Sequence, residues 1–375
     1  MDWKVPLADM DFGPEEQAAV QQVIESRWLT MGSITQQFEA AFAEYVGAKH
    51  ALAVSNATVA LHLACAGLGI GPGDEVIVPS LSFVATSNAV LYTGAEVRFA
   101  DIEGPHDLTI SPASVMAQIT PRTKAIIVMH YGGYACQMPA ILELARQHGL
   151  AVIEDAAHAP GASLEGKALG TWGEIGCFSF FSNKNLSTGE GGMLVTDRDD
   201  LAEKVSLKRS HGMTSLTWDR HQGHAYSYDV TDLGYNYRID EIRSALGLVQ
   251  LKKLPENNAR RRAISADYIR GLQGTGLEIP FLQADGQTAA HLFPILLPEE
   301  VERKAFIDAL REAGIQTSIH YPPIHCFSYY RQRYPGISLP QTEALASREV
   351  TLPLYPGMTD EMTALVIEAV KGAVK

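Results

Sequence analysis

The stretch AVIEDAAH, residues 151–158, decides the fold class, because a short apolar run leads directly into an acid, Asp155. Similar apolar runs precede it, separated by segments with helical spacing; these runs cover residues 51–54, 76–79, 96–100 and 125–129. Short, continuously apolar strands that alternate with helices indicate a mostly parallel sheet with both faces covered. We therefore predict an α/β protein built on a three-layer, mostly parallel sheet.

The pattern changes around Leu254-Pro255-Glu256, where a helical segment ends. A chain of 375 residues is also too long for one small core. Beyond the change, the pattern predicts a strand, a helix, a second strand and a closing helix at residues 292–297, 300–313, 316–320 and 360–374. We predict a large domain over residues 30–253 and a smaller α/β domain formed by residues 1–29 and 254–375.

Composition and charge exclude several classes of function. The formal net charge is -13 with no block of Lys or Arg, which argues against nucleic acids and anionic membranes as partners. Residues 51–73 lack charged side chains, but the glycines at their end favour a strand, a turn and a helix over a membrane span. The N-terminus resembles no signal peptide and the four cysteines form no CxxC pair, so we expect a cytoplasmic protein with neither disulfides nor a metal site.

Two strand ends carry candidate ligand-binding residues. Residues 55–61 join a strand to a helix, and a helix N-terminus with the Thr58 hydroxyl suits a phosphate, although taken alone the segment favours an ordinary helix cap. Asp155 ends its strand where open α/β sheets bind ligands. An acid there can keep a pyridinium nitrogen protonated, and His158 can reach an oxygen on the same ring. A capped helix start or a metal site is the alternative for Asp155.

Lys184 follows an apolar strand and lies among hydroxyl and aromatic residues, with glycines at 189, 191 and 192. A lysine in a dry setting has a depressed pKa and can attack a carbonyl. Ser179, five residues earlier, can reach the same phosphate as Thr58. A surface lysine before a glycine turn is the alternative. The polar-aromatic segments 234–238 and 320–325 suit turns and interfaces when taken singly.

Taken together, these motifs resemble the DegT-type (DegT/StrS) sugar aminotransferases, which belong to the fold type I aspartate-aminotransferase superfamily and use pyridoxal 5'-phosphate (PLP). The resemblance covers nearly the whole chain and rests on the order of its matching segments. They are Trp28-Leu29-Thr30, residues 71–77, Glu154-Asp155-Ala156-Ala157-His158, the Lys184 segment with its glycines, residues 209–212, residues 234–238 and His320-Tyr321-Pro322.

The resemblance implies a role for each site residue. Lys184 forms the Schiff base (the internal aldimine) with PLP and moves the proton, while Asp155 pairs with the pyridine nitrogen. The other implied cofactor contacts are Ala57, Thr58, Phe83, His158, Ser179 and Asn236. Asn236 matches a position that reaches the phosphate of the neighbouring subunit, which implies a homodimer with active sites at the subunit interface. Arg238, His320 and Tyr321 match the substrate mouth.

The implied activity is a ping-pong transfer of an amino group from L-glutamate to a nucleotide-linked keto sugar, with a 4-keto-6-deoxyhexose favoured, in amino-sugar biosynthesis. Lipopolysaccharide, another glycan and a secondary metabolite all remain open as destinations. Met31-Gly32-Ser33 and the long loop from Met213 to Tyr228 depart from the family pattern where the sugar is selected. Two alternatives are a PLP-dependent sugar dehydratase, which would carry histidine in place of Lys184, and a non-catalytic PLP-binding regulator.

Overall fold

The computed structural model describes residues 3–214 and 227–374. It has a central sheet whose seven strands are, in chain order, β1 (His50–Val54), β2 (Glu75–Pro79), β3 (Glu96–Ala100), β6 (Thr123–Met129), β7 (Ala151–Asp155), β10 (Ile175–Ser179) and β11 (Gly192–Thr196). Their order across the sheet is β1-β11-β10-β7-β6-β2-β3. Every strand pair of this sheet is parallel except the two that β11 makes with β1 and β10. The mostly parallel sheet predicted from the sequence is confirmed.

Helices cover both faces of this sheet, and smaller strand pairs lie outside it. The α-helices are α1 (Pro14–Ser26), α2 (Ser33–Val46), α3 (Ala57–Gly67), α4 (Ala85–Tyr92), α5 (Pro112–Gln118), α6 (Met138–His148), α7 (Asp199–Arg209), α8 (Glu241–Gly271), α9 (Arg303–Glu312), α10 (Ser328–Arg333), α11 (Pro340–Arg348) and α12 (Asp360–Val374). The other strands are β4 (Ile102–Gly104), β5 (Asp107–Ile110), β8 (Ser163–Leu164), β9 (Lys167–Ala168), β12 (Phe293–Leu296) and β13 (Glu349–Leu352). Two 3-10 turns cover Tyr131–Gly133 and Ile324–Cys326.

Alternation of side chains along the strands explains why short, continuous apolar runs mark them in the sequence. In β2, Ile77 enters one core, whereas Val76 and Val78 enter the core on the opposite face. In β7, Val152 and Ile153 divide between the same two cores. Successive side chains of a strand point to opposite faces, so a strand covered on both sides needs apolar residues at every position. This is the physical origin of the three-layer α/β architecture.

A third core lies in the C-terminal part of the chain. The antiparallel pair β12 and β13 packs there with α9 and α12, and Val5 and Ile264 are buried in the same cluster. Val5 also forms a parallel bridge with Ile315. This separate core supports the proposed smaller domain. The boundaries 1–29, 30–253 and 254–375 stay a prediction.

The break expected at Leu254-Pro255-Glu256 is wrong as a helix end. α8 continues through Pro255 to Gly271. Proline removes one backbone donor from a helix and usually breaks or kinks it. Here Pro255 is exposed, and buried residues such as Leu254 and Asn258 hold the helix on either side of it.

The strand expected at residues 316–320 is also wrong. Ser318 forms only an isolated antiparallel bridge with Thr351. The partner of β12 is instead β13, in the register Phe293 with Leu352. Residues 316–320 therefore run beside a short two-stranded sheet without extending it, and they end at His320.

Among residues 3–214 and 227–374, no helix combines the length and apolar character that crossing a membrane requires. The uncharged segment 51–73 folds as most of β1, then α3, then a turn, as its sequence predicts.

Candidate active site

Strand register brings the candidate residues to one edge of the sheet. Asp155 is the last residue of β7 and is paired with Cys177 of β10. Ser179 at the end of β10 is paired with Gly192, which is also paired with Val54 at the end of β1. The carboxyl ends of the parallel strands therefore lie together, as open α/β sheets require of a ligand site.

Asp155 is buried and held by two donors. The Thr86 hydroxyl donates to Oδ2 at 2.7 Å, and the Ala157 backbone N–H donates to Oδ1 at 3.2 Å. Burial raises the pKa of the Asp155 carboxyl, while these two bonds and the nearby charge of Lys184 lower it. A ligand cation placed against this carboxylate would offset the cost of burying it.

His158 lies beside this carboxylate, buried between two elements of the site. Its Nδ1 accepts from the Gly132 N–H at 3.3 Å, and its Nε2 lies 3.0 Å from the Tyr321 hydroxyl. Burial, followed by the charge of Lys184, lowers the pKa of His158 well below its usual range. The ring is therefore neutral, and because Nδ1 accepts, Nε2 carries the proton and donates to Tyr321.

Lys184 lies in the loop between β10 and β11 and is half-buried. Burial lowers the pKa of its amine to about 8, against a smaller opposing effect of Asp155. The Lys184 Nζ lies 3.5 Å from the Nε2 of His291. In the part of the chain that the structure describes, Lys184 forms no salt bridge. At pH 7 about a tenth of this amine is unprotonated and nucleophilic.

The first turn of α3 provides the candidate anion site. Asn56 caps the helix by accepting from the Val59 N–H at 3.0 Å, and Ala57 and Thr58 follow it, both half-buried. The first N–H groups of a helix have no intrahelical acceptor, so they can bind a phosphate. Ser179 is buried at the neighbouring strand end, where its hydroxyl accepts from the Phe181 N–H at 3.3 Å.

Phe83 and Tyr321 supply an aromatic wall. Phe83 follows β2 and is 56% exposed, although large apolar side chains are usually buried. Its ring centroid lies 6.1 Å from that of Tyr321. An aromatic face left open at the ligand edge of a sheet suits stacking on a planar ring.

His320 is held by residues of β13. Its Nδ1 lies 2.8 Å from the Thr351 hydroxyl, its backbone N–H donates to Glu349 at 2.8 Å, and its carbonyl accepts from the Tyr131 hydroxyl. Burial lowers the pKa of the His320 imidazole to about 4, and burial raises the pKa of the Glu349 carboxyl to about 8.

Asn236 and Arg238 lie on the segment that follows the undescribed residues 215–226. Asn236 is exposed and pairs with Ser210 in an isolated bridge, whereas Arg238 pairs with Val54 at the end of β1. The tyrosines on either side of Asn236 stack on each other, with ring centroids 4.8 Å apart, and pack against His62. Asn236 itself stays exposed between these packed tyrosines.

The structure describes one of the two segments expected to select the sugar and only the ends of the other. Gly32 precedes α2, and its N–H donates to Glu241 at 2.8 Å, as do the N–H groups of Ile34 and Thr35. Most of the loop between Met213 and Tyr228 lies outside the described residues.

Several residues of the site were not predicted from the sequence, and all of them are far along the chain from the groups that they contact. Each is remote in sequence from the group it contacts: Thr86 is 69 residues from Asp155, and His291 is 107 residues from Lys184. Neither lies in a motif with recognisable chemistry. Ser82, which hydrogen-bonds Thr86 at 2.6 Å, lies next to Phe83, and this proximity is a local signal for Thr86.

The chemistry of this donor set fits PLP. A buried carboxylate matches a pyridinium N–H, an amine of lowered pKa matches an aldehyde, and an open aromatic face matches a planar ring. The α3 N-terminus with Thr58 and Ser179 matches a phosphate. Each contact assigned to PLP from the sequence stays a prediction.

Comparisons with known proteins agree with this chemistry. Residues 10–371 match the model of the DegT/DnrJ/EryC1/StrS aminotransferase family. The spore coat polysaccharide biosynthesis protein SpsC of Bacillus subtilis (strain 168) is 43% identical over 383 residues, which cover 100% of this chain and 97% of SpsC.

Two solved structures share the fold over nearly their whole length. PseC of Helicobacter pylori, an aminotransferase involved in the biosynthesis of pseudoaminic acid, is 29% identical with a TM-score of 0.92, covering 100% of this chain and 99% of PseC. Spr1654 of Streptococcus pneumoniae, solved in a PLP form, is 25% identical with a TM-score of 0.92, covering 99% of this chain and 98% of Spr1654.

Proposed function

The chain belongs to the DegT/DnrJ/EryC1/StrS aminotransferase family, and on that premise we propose that it is a PLP-dependent nucleotide-sugar aminotransferase. It takes an amino group from L-glutamate and gives it to a nucleotide-linked keto sugar, with a 4-keto-6-deoxyhexose as the favoured acceptor. The observation that carries the proposal is Lys184. Its amine has a pKa lowered to about 8 and is electrostatically coupled to the buried Asp155 at the ligand edge of the sheet.

Lys184 has two tasks in the proposed reaction. Its unprotonated amine would hold PLP, and when it is free the same amine would take and return a proton at the substrate carbon. When bound, PLP supplies an electron sink that stabilises negative charge on that carbon. Asp155 would keep the ring nitrogen protonated, and the Nε2–H of His158, shared with the Tyr321 hydroxyl, would donate toward the ring oxygen.

The remaining residues hold and orient the ligands. The N–H groups of Ala57 and Thr58 and the hydroxyl of Ser179 bind the phosphate, and Phe83 stacks on the ring. Arg238, His320 and Tyr321 line the substrate mouth. The nucleotide contributes binding energy far from the reacting carbon, so the sugar itself need not carry charge.

The active form is proposed to be a homodimer with two shared sites. Asn236 is exposed on its own subunit, and the nearby Leu233 and Val230 are 74% and 57% exposed. Exposed apolar side chains of this size beside a polar residue such as Asn236 are typical of a protein interface. Asn236 would reach the phosphate bound by the partner.

Mixing two inactive variants tests the shared site. Lys184→Ala subunits keep Asn236, and Asn236→Asp subunits keep Lys184, so a mixed dimer contains one intact site. Random re-association at equal amounts should restore roughly a quarter of the wild-type activity per site, because half of the dimers are mixed and each has one working site of two. Activity is measured after unfolding and refolding the mixture, with each variant treated alone as the control. No recovery despite mixed dimers would place Asn236 in its own subunit's site.

The amine of Lys184 also predicts a pH dependence. Because burial lowers the pKa of this amine to about 8, its reactive fraction falls tenfold per unit below that pH and levels off above it. The rate at which the cofactor-free protein attaches PLP should therefore rise up to about pH 8 and then stay constant. Stopped-flow absorbance measures this rate. A pH midpoint of the rate near the ordinary lysine pKa of 10.5 would contradict the lowered pKa of the Lys184 amine.

A substrate panel tests the proposed acceptor. The protein with PLP and L-glutamate is incubated with nucleotide-linked 3-keto and 4-keto sugars, and mass spectrometry detects the amino sugar. We expect a product from a 4-keto-6-deoxyhexose. If only the 3-keto sugars gave a product, the amino group would be assigned to C3 of the sugar instead of C4. If only keto compounds without a nucleotide gave a product, the nucleotide-sugar assignment would be wrong.

A further inference from the structure

A chain of buried hydrogen bonds runs from a backbone carbonyl to the amine of Lys184. Its members are Asn258, Asn185 and His291, all of them buried. They come from α8, from the loop after β10 and from the residues before β12. None of the three was assigned a role from the sequence, so the position of this chain at Lys184 calls for an explanation.

The direction of the chain is fixed at its far end. The Pro160 carbonyl can only accept, so the Asn258 Nδ2 must face it, at 2.8 Å. The Asn258 Oδ1 is then left for Asn185, whose Nδ2 donates to it at 2.8 Å and to the Ala289 carbonyl at 2.7 Å. These acceptors fix the amide orientation of Asn185 as well.

The orientation of Asn185 sets the tautomer of His291. The Asn185 Oδ1 lies 2.9 Å from the His291 Nδ1, and because an amide oxygen only accepts, Nδ1 must carry a proton. Burial, then His158, Lys184, Arg261 and His320, lowers the pKa of His291 well below its usual range. The ring is thus neutral, and its Nε2 carries no proton. This nitrogen lies 3.5 Å from the Lys184 Nζ and can accept a hydrogen bond from it.

We propose that His291 is a positioning residue that accepts a hydrogen bond from the Lys184 amine and holds it in place whenever that amine is not bonded to the cofactor. The proposal rests on the proposed aminotransferase function, in which Lys184 must be released and must then deliver a proton. A free lysine side chain has many rotamers, and proton transfer needs the amine at one position. The bond network from Pro160 supplies that position.

Two substitutions separate this role from packing. The amide of His291→Asn reaches only the place of Nδ1, so it keeps a partner for Asn185 and loses the acceptor for Lys184. The amide of His291→Gln reaches the place of Nε2 and keeps that acceptor. In single-turnover reactions with L-glutamate, we expect His291→Asn to be roughly 10- to 100-fold slower than wild type, the range for losing a hydrogen bond to a charged group, and His291→Gln to be within a few fold of wild type.

A second measurement does not depend on turnover. A hydrogen bond from the ammonium form to His291 stabilises that form, so removing the acceptor should move the midpoint of PLP attachment in His291→Asn to lower pH by roughly one unit. The midpoint of His291→Gln should stay at the wild-type value. In the unaltered protein, ¹⁵N NMR of labelled histidine should show His291, assigned by its loss in the variants, as the neutral tautomer with the proton on Nδ1.

The outcomes distinguish the two proposals. If the wild-type protein releases no 2-oxoglutarate, the proposed function is wrong, whatever His291 does. If the wild-type protein turns over while the Asn and Gln variants share its rate and its pH midpoint, the positioning role of His291 is wrong. A proton on Nε2 in the NMR spectrum would overturn it as well, because no lone pair would then face Lys184.

Discussion

Replacing Lys184 by alanine should lower transamination by at least about a thousandfold, because the substitution removes both the attachment point of PLP and the group that moves the proton. Lys184→Arg should be equally inactive. Arginine keeps the positive charge but does not lose its proton in proteins and cannot attack the aldehyde. Release of 2-oxoglutarate from L-glutamate measures both variants, and denaturation midpoints show that they fold.

A matched lysine elsewhere provides the control. Lys167 is exposed in β9 and lies over the Trp172 ring, so Lys167→Ala should react at the wild-type rate. Full turnover by Lys184→Ala would rule out the mechanism proposed above. Equal losses in Lys184→Ala and Lys167→Ala would point to general damage to the fold.

Asp155→Asn should lower kcat/KM by roughly a hundredfold to ten-thousandfold while the protein stays folded. The amide has the shape of the carboxylate and can still accept from the Ala157 N–H. The Thr86 hydroxyl, now 2.6 Å from Ser82 and 2.7 Å from Asp155, can donate to Ser82 instead. A neutral amide cannot keep the ring nitrogen of PLP protonated, so the electron sink is weakened.

Thr86→Val is the control for this prediction. It removes one hydrogen bond from the Asp155 carboxylate but leaves the charge, so we expect a loss of roughly tenfold or less. PLP affinity, measured by absorbance, should fall in Asp155→Asn more than in Thr86→Val. An Asp155→Asn protein within twofold of the wild-type kcat/KM would mean that this carboxylate does not serve the reaction.

The fold was predictable because its central strands contain short, continuous apolar runs. β2 and β7 place neighbouring apolar residues in opposite cores, so these runs show no alternation of apolar and polar residues. The helix end predicted at Pro255 was wrong. The local effect of this proline on a helix is strong, yet α8 continues past it because buried residues on both sides hold the helix in place.

The candidate site was predictable where its chemistry is local. Asp155 and Lys184 each lie at or just after a strand end, so their own segments indicate a ligand-binding position. His291, Asn258 and Thr86 gave no such signal. Their positions depend on which segments the fold brings together, and a buried amide or hydroxyl has no spacing rule that a single sequence reveals. The tautomer of His291 follows from hydrogen bonds between four distant segments.

The half-reaction with L-glutamate tests the central claim most directly. The purified protein is loaded with PLP, freed of excess, and mixed with L-glutamate in the absence of any sugar. We predict that the absorbance of the PLP bound to Lys184 disappears and that about one 2-oxoglutarate is released per active site, as expected for the first half of a ping-pong transfer. Unchanged absorbance with no 2-oxoglutarate at saturating L-glutamate would contradict the claim and would favour a protein that binds PLP without turning over.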